Sequence, residues 1–349
     1  MLDLKELLRQ ASNQGASDVH ISAGTAPRFR IHGRLIPSNF PKMTSSDTLE
    51  ILLSLMNPEK REQFEKEGGI DLSVSIPDTG RYRVNAYKQR GSISLSLRVV
   101  DMVIPDTAFL QIPDVVTSLC QEKRGLVFVT GPSGSGKSTV LASLINEINL
   151  TRACNIITLE DPIEYLHSHR ESMVNQREIG LDASDYPSAL TAALREDPDV
   201  LQVSRLESME EIFLVIQAAE AGRLVFSSMY TLSAAETVEN LLNLFREDRR
   251  SYAANRVANA LKATVTRQLI PSLDGDRVPA YEILIVDNEV RDLIRKGRTG
   301  EISAYLSRNH DRGMITMDES ILSLLRQGKI REEDALQAAA DPEQMKKSL

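Results

Sequence analysis

A glycine-rich stretch within residues 124–148, RGLVFVTGPSGSGKSTVLASLINEI, contains the residue types that bind phosphate groups. Its spacing matches the pattern G-x-x-x-x-G-K-[ST], whose named positions are Gly131, Gly136, Lys137 and Ser138. Residues 126–129 form an apolar run of β type before the loop, and residues 139–150 read as an amphipathic helix after it. This strand–loop–helix setting disfavours the alternative of a simple turn with a chance lysine.

Such a loop predicts a site for ATP and Mg²⁺. Glycine and serine let backbone N–H groups turn inward around the β-phosphate, and the Lys137 ammonium adds a positive charge there. The Ser138 hydroxyl is a candidate magnesium ligand. The predicted nucleotide-binding residues of the loop are Gly131, Ser133, Gly134, Ser135, Gly136, Lys137, Ser138 and Thr139.

A second β-type run, NIITLEDPIEY, ends in the carboxylates of Glu160 and Asp161. In a parallel sheet these groups lie at the same edge as the phosphate loop, because ligands bind beyond the carboxyl ends of the strands. Both are candidate catalytic residues that would hold Mg²⁺ through water or orient the attacking water, and Glu160 is the candidate metal ligand. The alternative is a solvated strand end before an Asp-Pro turn.

The pattern of the elements changes along the chain. Residues 1–100 hold short alternating runs and one helical stretch, as in a small α+β domain. Later runs of β type, at residues 126–130, 155–159, 200–203 and 224–229, alternate with helical patterns and predict a parallel sheet with crossover helices. The predicted fold class is therefore α/β, with an N-terminal domain of residues 1–100, a linker of residues 101–114, and an ATPase domain of residues 115–349 that ends in a helical tail.

Composition excludes several classes of protein. A net charge of -8 and the absence of tryptophan disfavour a protein that coats nucleic acid. No window of about 18 apolar residues occurs and the N-terminus is charged, so we expect no signal sequence and a cytoplasmic protein. Two cysteines, Cys120 and Cys154, are too few for a disulfide framework or a cysteine metal cluster, and both are predicted to be reduced.

Several motifs, in the same order along the chain, resemble the type IV pilus retraction ATPases, the PilT-like branch of the secretion ATPases. These motifs are GASDVHISAG, GRYRVNAY, TLEDPIEY, VNQREIGLDASDYPSALTAALREDPDV and GMITMDESI. The resemblance implies a PAS-like N-terminal domain, a RecA-like P-loop domain, a homo-hexameric ring, and ATP-driven rotation of neighbouring domains. It also implies a position at the inner face of the cell membrane, beside a pilus platform protein.

Two departures from the family pattern fall on the predicted catalytic edge. Family members follow the run DVLQV with Gly-Glu-Met-Arg-Asp, the Walker B element, whereas this chain has Ser-Arg-Leu-Glu-Ser and carries Arg205 in place of the glutamate. Family members also carry a histidine in a Thr-Leu-His-Thr segment, where this chain has Tyr230. Two unit charges about 4 Å apart interact by roughly 4 kcal/mol at an effective dielectric near 20, so Arg205 turns attraction for Mg²⁺ into repulsion.

Three roles are open for Arg205. It lowers metal affinity, or it points at the γ-phosphate and holds ATP without activating water, or it is a cation on a solvent-facing loop. Tyr230 keeps a ring and a hydroxyl donor, but unlike histidine it cannot become cationic near neutral pH. Either Glu207 or, in part, Glu160 could replace the missing acid.

The resemblance further implies that arginines of the N-terminal domain act as arginine fingers at shared nucleotide sites. The candidates are Arg81 and Arg83, which alternate on one strand and so point to one face, and Arg98 on the next strand. A basic, exposed strand face is the alternative.

Two classes of function remain open. In the first, the chain is a motor ATPase with slow turnover that uses Glu160 as its remaining acid. In the second, it is a nucleotide-binding regulatory or structural ring subunit beside an active PilT-like paralogue. A P-loop kinase is disfavoured because no acceptor-substrate motif accompanies the loop.

Overall fold

The computed structural model describes residues 3–31, 33–76, 79–100 and 103–348. The chain divides into two compact units, one of Met1–Val103 with Glu164–Leu166, the other of Ile104–Ile163 with His167–Leu349. Asp101 and Met102 of the predicted linker lie outside the described residues, as does Leu349 at the predicted end of the ATPase domain.

The described part of the first unit forms a six-stranded antiparallel sheet with three helices. The helices are α1 (Leu4–Asn13), α2 (Ser45–Leu55) and α3 (Pro58–Glu67). The strands are β1 (Asp18–Ser22), β2 (Arg28–Ile31), β3 (Arg34–Pro37), β4 (Gly69–Ile76), β5 (Gly80–Gln89) and β6 (Ser92–Val99), in the spatial order β3-β2-β1-β6-β5-β4. Tyr82, Val84 and Ala86 alternate on β5 and are buried in the core of this unit, because successive strand residues face opposite sides of the sheet.

The second unit, within residues 104–348, is built on a seven-stranded sheet in which β13 is antiparallel at one edge and the other strands are parallel. The strands are β7 (Gly125–Thr130), β8 (Asn155–Glu160), β9 (Met173–Glu178), β10 (Val200–Val203), β11 (Leu224–Met229), β12 (Leu261–Pro271) and β13 (Arg277–Ile285). Their spatial order is β13-β12-β7-β11-β10-β8-β9. The predicted α/β class, with a parallel sheet in the second unit, is confirmed.

Helices cover both faces of this sheet. They are α4 (Asp114–Ser118), α5 (Lys137–Thr151), α6 (Tyr186–Ala193), α7 (Met209–Glu220), α8 (Ala234–Asn243), α9 (Arg250–Ala260), α10 (Asn288–Arg295), α11 (Ile302–Leu306), α12 (Met317–Arg326), α13 (Glu332–Ala338) and α14 (Pro342–Ser348). On β7, Leu126 and Phe128 belong to one apolar core, while Val127 and Val129 belong to another that includes α5. Burial on both faces explains why β7 is a continuous apolar run.

One strand was missed from the sequence. β9 reads Met-Val-Asn-Gln-Arg-Glu, and it pairs in parallel with β8 at the edge of the sheet. Its polar residues form no apolar run, because an edge strand is only partly buried. The sequence pattern therefore gave no strand signal there.

Strand order decides which loops meet at the carboxyl edge of the sheet. The phosphate loop follows β7, Tyr230 follows β11, and Arg205 comes two residues after β10. Because β11 lies between β7 and β10, the loop carrying Tyr230 lies between the phosphate loop and the Arg205 loop. Glu160 ends β8, on the far side of β10.

The strand that carries the Arg205 loop, β10, contains the fully buried residue Leu201, whose replacement tests how much the packing of this strand stabilises the unit. We expect Leu201→Ala to lower the stability of this unit by about 2–5 kcal/mol, because it leaves a cavity in the core. Leu273→Ala is the matched control: Leu273 is 53% exposed, and its loss should cost less than about 0.5 kcal/mol. Thermal unfolding compares the two variants, and equal destabilisation would contradict this packing.

Candidate nucleotide-binding site

The phosphate loop connects β7 to α5 through backbone conformations that require glycine at two positions. Gly131 has a φ of 137° and Gly136 a φ of 81°, both in the left-handed region. A Cβ atom on Gly131 would lie 2.2 Å from the carbonyl oxygen of Arg267, so no larger residue fits there. The α5 helix then begins at Lys137, and its N-terminal dipole favours an anion at the loop.

Lys137 is folded into the loop. Its side chain is almost fully buried, and its Nζ donates hydrogen bonds to the carbonyl oxygens of Gly131 and Pro132, each at 2.9 Å. Ser133 and Gly134 are exposed at the tip of the loop, whereas Ser135 is buried. The lysine thus sets the shape of the loop and places a positive charge within it.

Tyr230 covers Lys137. The Lys137 Nζ atom lies 4.2 Å from the centroid of the Tyr230 ring, which is within the range of a cation–π contact. Tyr230 is still 56% exposed, so the ring forms an outer wall of the loop. The sequence placed Tyr230 on the catalytic edge, and the structure brings it into contact with the phosphate-loop lysine.

Arg205 is paired with Glu207, and Tyr230 acts on its charge. Its Nε lies 3.1 Å from Oε1 of Glu207, and its side chain is 42% exposed. Burial lowers the pKa of Arg205, but the charge of Glu207 and a hydrogen bond with the Tyr230 side chain outweigh it, so that the pKa is raised overall. The two residues that depart from the family pattern are therefore direct neighbours.

Glu160 is a buried carboxylate at the end of β8. Its Oε1 accepts hydrogen bonds from Thr158 Oγ1 at 2.6 Å and from Gln176 Nε2 at 3.0 Å. Gln176 lies on β9, the strand that the sequence missed, and its Oε1 accepts a hydrogen bond from the backbone N–H of His167 at 2.8 Å. These contacts fix the orientation of Glu160. Asp161, the next residue, is exposed.

Tyr186 is a site residue that sequence reasoning did not single out. Burial raises its pKa, the charges of Asp161 and Glu160 raise it further, and Arg205 opposes them. The Tyr186 hydroxyl is therefore within electrostatic range of the acids at the end of β8 and of Arg205 after β10. Its position at the start of α6, after the helix cap Asp185, carried no signal of a role at this edge.

The predicted arginine fingers belong to the first unit, whereas the phosphate loop belongs to the second. Arg81 donates to Ser75 Oγ at 3.4 Å, and Arg98 donates through Nε to Asp18 Oδ1 at 3.0 Å. Arg83 is exposed and lies opposite Arg98 in the pairing of β5 and β6. Together they form a basic stretch of this sheet.

Metal-binding clusters and membrane-spanning helices are both absent from the described ranges of the chain. Within them, no group of three or more histidine, cysteine, aspartate or glutamate side chains is arranged to hold a metal ion. Nor does any helix in these ranges have the length and apolar character needed to cross a membrane. Both cysteines are free, and burial raises the pKa of Cys120 to about 12, which keeps it a neutral thiol.

The geometry defines a class of protein. A glycine-rich loop at the carboxyl edge of a largely parallel sheet, leading directly into a helix and containing a buried lysine, is the site of a P-loop nucleotide-binding protein. A match to a protein family places the chain more closely within this class. Residues 2–337 match the family described as Type II/IV secretion system protein.

Individual relatives agree with this family. The chain is 35% identical to PilT, a type IV pilus retraction ATPase of Pseudomonas aeruginosa, over 98% of this chain and 99% of that protein. It is also 35% identical to PilU, a type IV pilus ATPase of the same organism, over 96% and 88% of the two chains. A crystal structure of the pilus retraction motor PilT with bound ADP matches with a TM-score of 0.92 and 38% identity, covering 99% of this chain and 100% of that one. The chain belongs to the type II/IV secretion system family and is a PilT-like member of it.

Lys137 provides the direct test of the nucleotide site. We expect Lys137→Ala to weaken ATP binding by about 10- to 100-fold, because a hydrogen bond to a charged group contributes roughly 1.5–3 kcal/mol. Lys123→Ala is the matched control, since Lys123 is exposed just before β7, at the opposite end of that strand from the loop. Isothermal titration calorimetry measures both affinities, and an unchanged affinity in Lys137→Ala would remove the phosphate-loop assignment.

Proposed function

We propose that this chain is a PilT-like motor ATPase that acts in type IV pilus retraction and twitching motility, with hydrolysis weakened by the loss of its Walker B acid. The observation that carries the proposal is the intact phosphate loop, in which Lys137 is buried against the backbone of Gly131 and Pro132. The similarity to PilT along nearly the whole chain supports the choice of pilus retraction over other uses of a P-loop.

Weakened hydrolysis follows from the charges at the carboxyl edge. The position of the family's acid carries Arg205, and the nearby carboxylate of Glu207 is 3.1 Å from that arginine. Glu207 therefore neutralises Arg205 and is a poor replacement for the missing acid. Glu160 remains the best candidate, because it is buried, fixed by two hydrogen bonds, and located at the same edge of the sheet.

The donor groups present fit a magnesium ion. Ser138 in the loop supplies a hydroxyl and Glu160 a carboxylate, and both are the oxygen ligands that magnesium prefers. Ser138 and Glu160 would hold the ion, which would offset the negative charge of the phosphates. Within the protein, Lys137 binds the phosphates, Tyr230 shields that lysine from water on one side, and Glu160 orients water or a metal-bound ligand.

Ring formation and partners belong to the same proposal. A homo-hexamer would let Arg81, Arg83 and Arg98 of one subunit reach a nucleotide held by another, and a guanidinium in that position stabilises charge that develops on the phosphate. The ring would act at the cytoplasmic face of the inner membrane on a pilus platform protein. No nucleic acid is involved, which is consistent with the net charge of -8.

A second function has its own supporting observation. Tyr230 helps to raise the pKa of Arg205, so the two departures form one local electrostatic unit rather than two separate losses. A unit of this kind suits a subunit that binds ATP and holds it, in a regulatory or structural role beside an active paralogue. PilT and PilU, at equal identity to this chain, occur together in Pseudomonas aeruginosa.

Steady-state phosphate release decides between these functions. The motor function requires turnover by the wild type that clearly exceeds that of Lys137→Ala. A rate equal to that of Lys137→Ala, with ATP binding retained, would overturn the motor function and support the regulatory one.

The Arg205→Glu variant tests the cause of the weakened hydrolysis. We expect it to raise turnover by about 10²- to 10³-fold, the usual contribution of a preorganised charged group in an active site. Tyr230→His should do less, because tyrosine preserves a ring and a donor, and the double variant should exceed either single change if both positions act on the same water and phosphate. Phosphate release under saturating ATP and Mg²⁺ is the measurement.

Arg205→Gln is the control for this series, because it removes the positive charge without adding an acid. We expect it to fall between the wild type and Arg205→Glu. If Arg205→Glu binds nucleotide and forms rings but turns over no faster than the wild type, the missing acid is not the limiting defect.

A further inference from the structure

Arg267 lies directly against the phosphate loop, on the neighbouring strand β12. A Cβ atom on Gly136 would lie 2.4 Å from Arg267 Nη1, and one on Gly131 would lie 2.2 Å from the Arg267 carbonyl oxygen. The guanidinium donates to the Gly136 carbonyl at 3.4 Å, a long hydrogen bond. Gly131 and Gly136 therefore both pack on this one residue. Next to it, the hydroxyls of the paired residues Thr130 and Thr266 are 2.8 Å apart.

Arg267 has no carboxylate partner in the part of the chain that the structure describes. Arg267 is only 5% exposed. No acidic oxygen in this part of the chain lies within 4.0 Å of its guanidinium. Within the described residues, its Nε has no hydrogen-bond partner. The other contacts are neutral: the Tyr281 ring centroid is 5.7 Å away, and the Tyr281 hydroxyl itself donates to the carbonyl of Leu110 at 3.2 Å.

The surroundings of Arg267 disfavour its positive charge. Burial lowers the pKa of Arg267, Tyr281 raises it, and the positive charge of Arg277 lowers it further. An unpaired buried charge costs several kcal/mol in general, because it has lost its hydration without gaining a counter-ion. A bound anion close to such a residue would offset this cost.

We propose that Arg267 is a positioning residue for nucleotide diphosphate, whose charge is balanced by the phosphates held in the adjacent loop. The proposal rests on the nucleotide site described above and adds a second buried cation to Lys137. Arg267 acts through the Gly136 carbonyl and through its electric field, since its burial keeps it from solvent. The nucleotide's α- and β-phosphates supply the negative charge, so ADP and inorganic pyrophosphate are the appropriate ligands for a test.

This role makes an unusual prediction for the protein without nucleotide. If Arg267 were a simple structural brace, its replacement would lower the melting temperature whether or not ligand is present. If its charge is unbalanced until phosphate binds, Arg267→Gln removes an unfavourable burial. The ligand-free melting temperature should then stay the same or rise, while the affinity for ADP and pyrophosphate falls by about tenfold, the order expected for loss of one unit charge about 12 Å from the ligand's charge at an effective dielectric near 20.

The experiment combines calorimetric titration of ADP and pyrophosphate with thermal unfolding in the absence of ligand, on the full-length wild type and four variants. Arg267→Gln tests the charge and Arg267→Lys retains it, so the lysine variant should recover most of the affinity. Arg331→Gln is the matched control, because Arg331 is an exposed arginine just before α13 that does not act on the charge of Arg267, and its loss should not weaken binding. Lys137→Ala monitors the nucleotide site itself.

Each outcome decides the proposal. Weaker ligand binding by Arg267→Gln, without loss of ligand-free stability and with recovery in Arg267→Lys, supports it. A lower ligand-free melting temperature, or failure of Arg267→Gln to fold, shows a structural brace and overturns it. Weaker binding in Lys137→Ala with unchanged binding in Arg267→Gln overturns this inference alone, whereas no binding of ADP by the wild type overturns the proposed nucleotide site as well.

Discussion

Positive charge at the carboxyl edge of the central sheet is the constraint on which the rest of the site depends. Lys137 is buried in the phosphate loop, Arg267 is buried on the adjacent strand, and Arg205 stands where an acid would hold a metal ion. A site with this charge attracts polyphosphate strongly. It gives less help to hydrolysis, which needs a carboxylate, and the proposed function therefore separates the binding of ATP from its hydrolysis.

The order of the strands turns this charge pattern into contacts. Because β11 lies between β7 and β10, the residue that follows β11 must meet the loops of both neighbours. That residue is Tyr230, whose ring covers Lys137 and whose side chain also helps to raise the pKa of Arg205. The family pattern has a histidine in place of Tyr230 and a negatively charged glutamate in place of the positively charged Arg205. Because Tyr230 acts on the charge of Arg205, a change at one of these positions alters the environment of the other.

Sequence reasoning found the loop and most of the parallel strands from local signals, and it found Arg205 and Tyr230 by comparison with the family pattern. Glycine spacing marks the phosphate loop, and a continuous apolar run marks a strand such as β7 that is buried on both faces. The contribution of β9 was missed, since an edge strand with Gln176 and Arg177 has no apolar period. Tyr186 and Arg267 were missed for a different reason. Their importance comes from long-range packing, Tyr186 against the acids after β8 and Arg267 against Gly136, and no spacing along the chain records such contacts.

The most direct test of the separation between binding and hydrolysis is the identity of the nucleotide that the protein retains. The wild type is incubated with ATP and Mg²⁺, desalted rapidly, and extracted with acid, and the bound nucleotide is quantified by chromatography. The charge pattern around Arg205 predicts that the retained nucleotide is mainly ATP. Retention of mainly ADP after the same short incubation would show that the site hydrolyses ATP readily without its Walker B acid, and it would contradict the central claim.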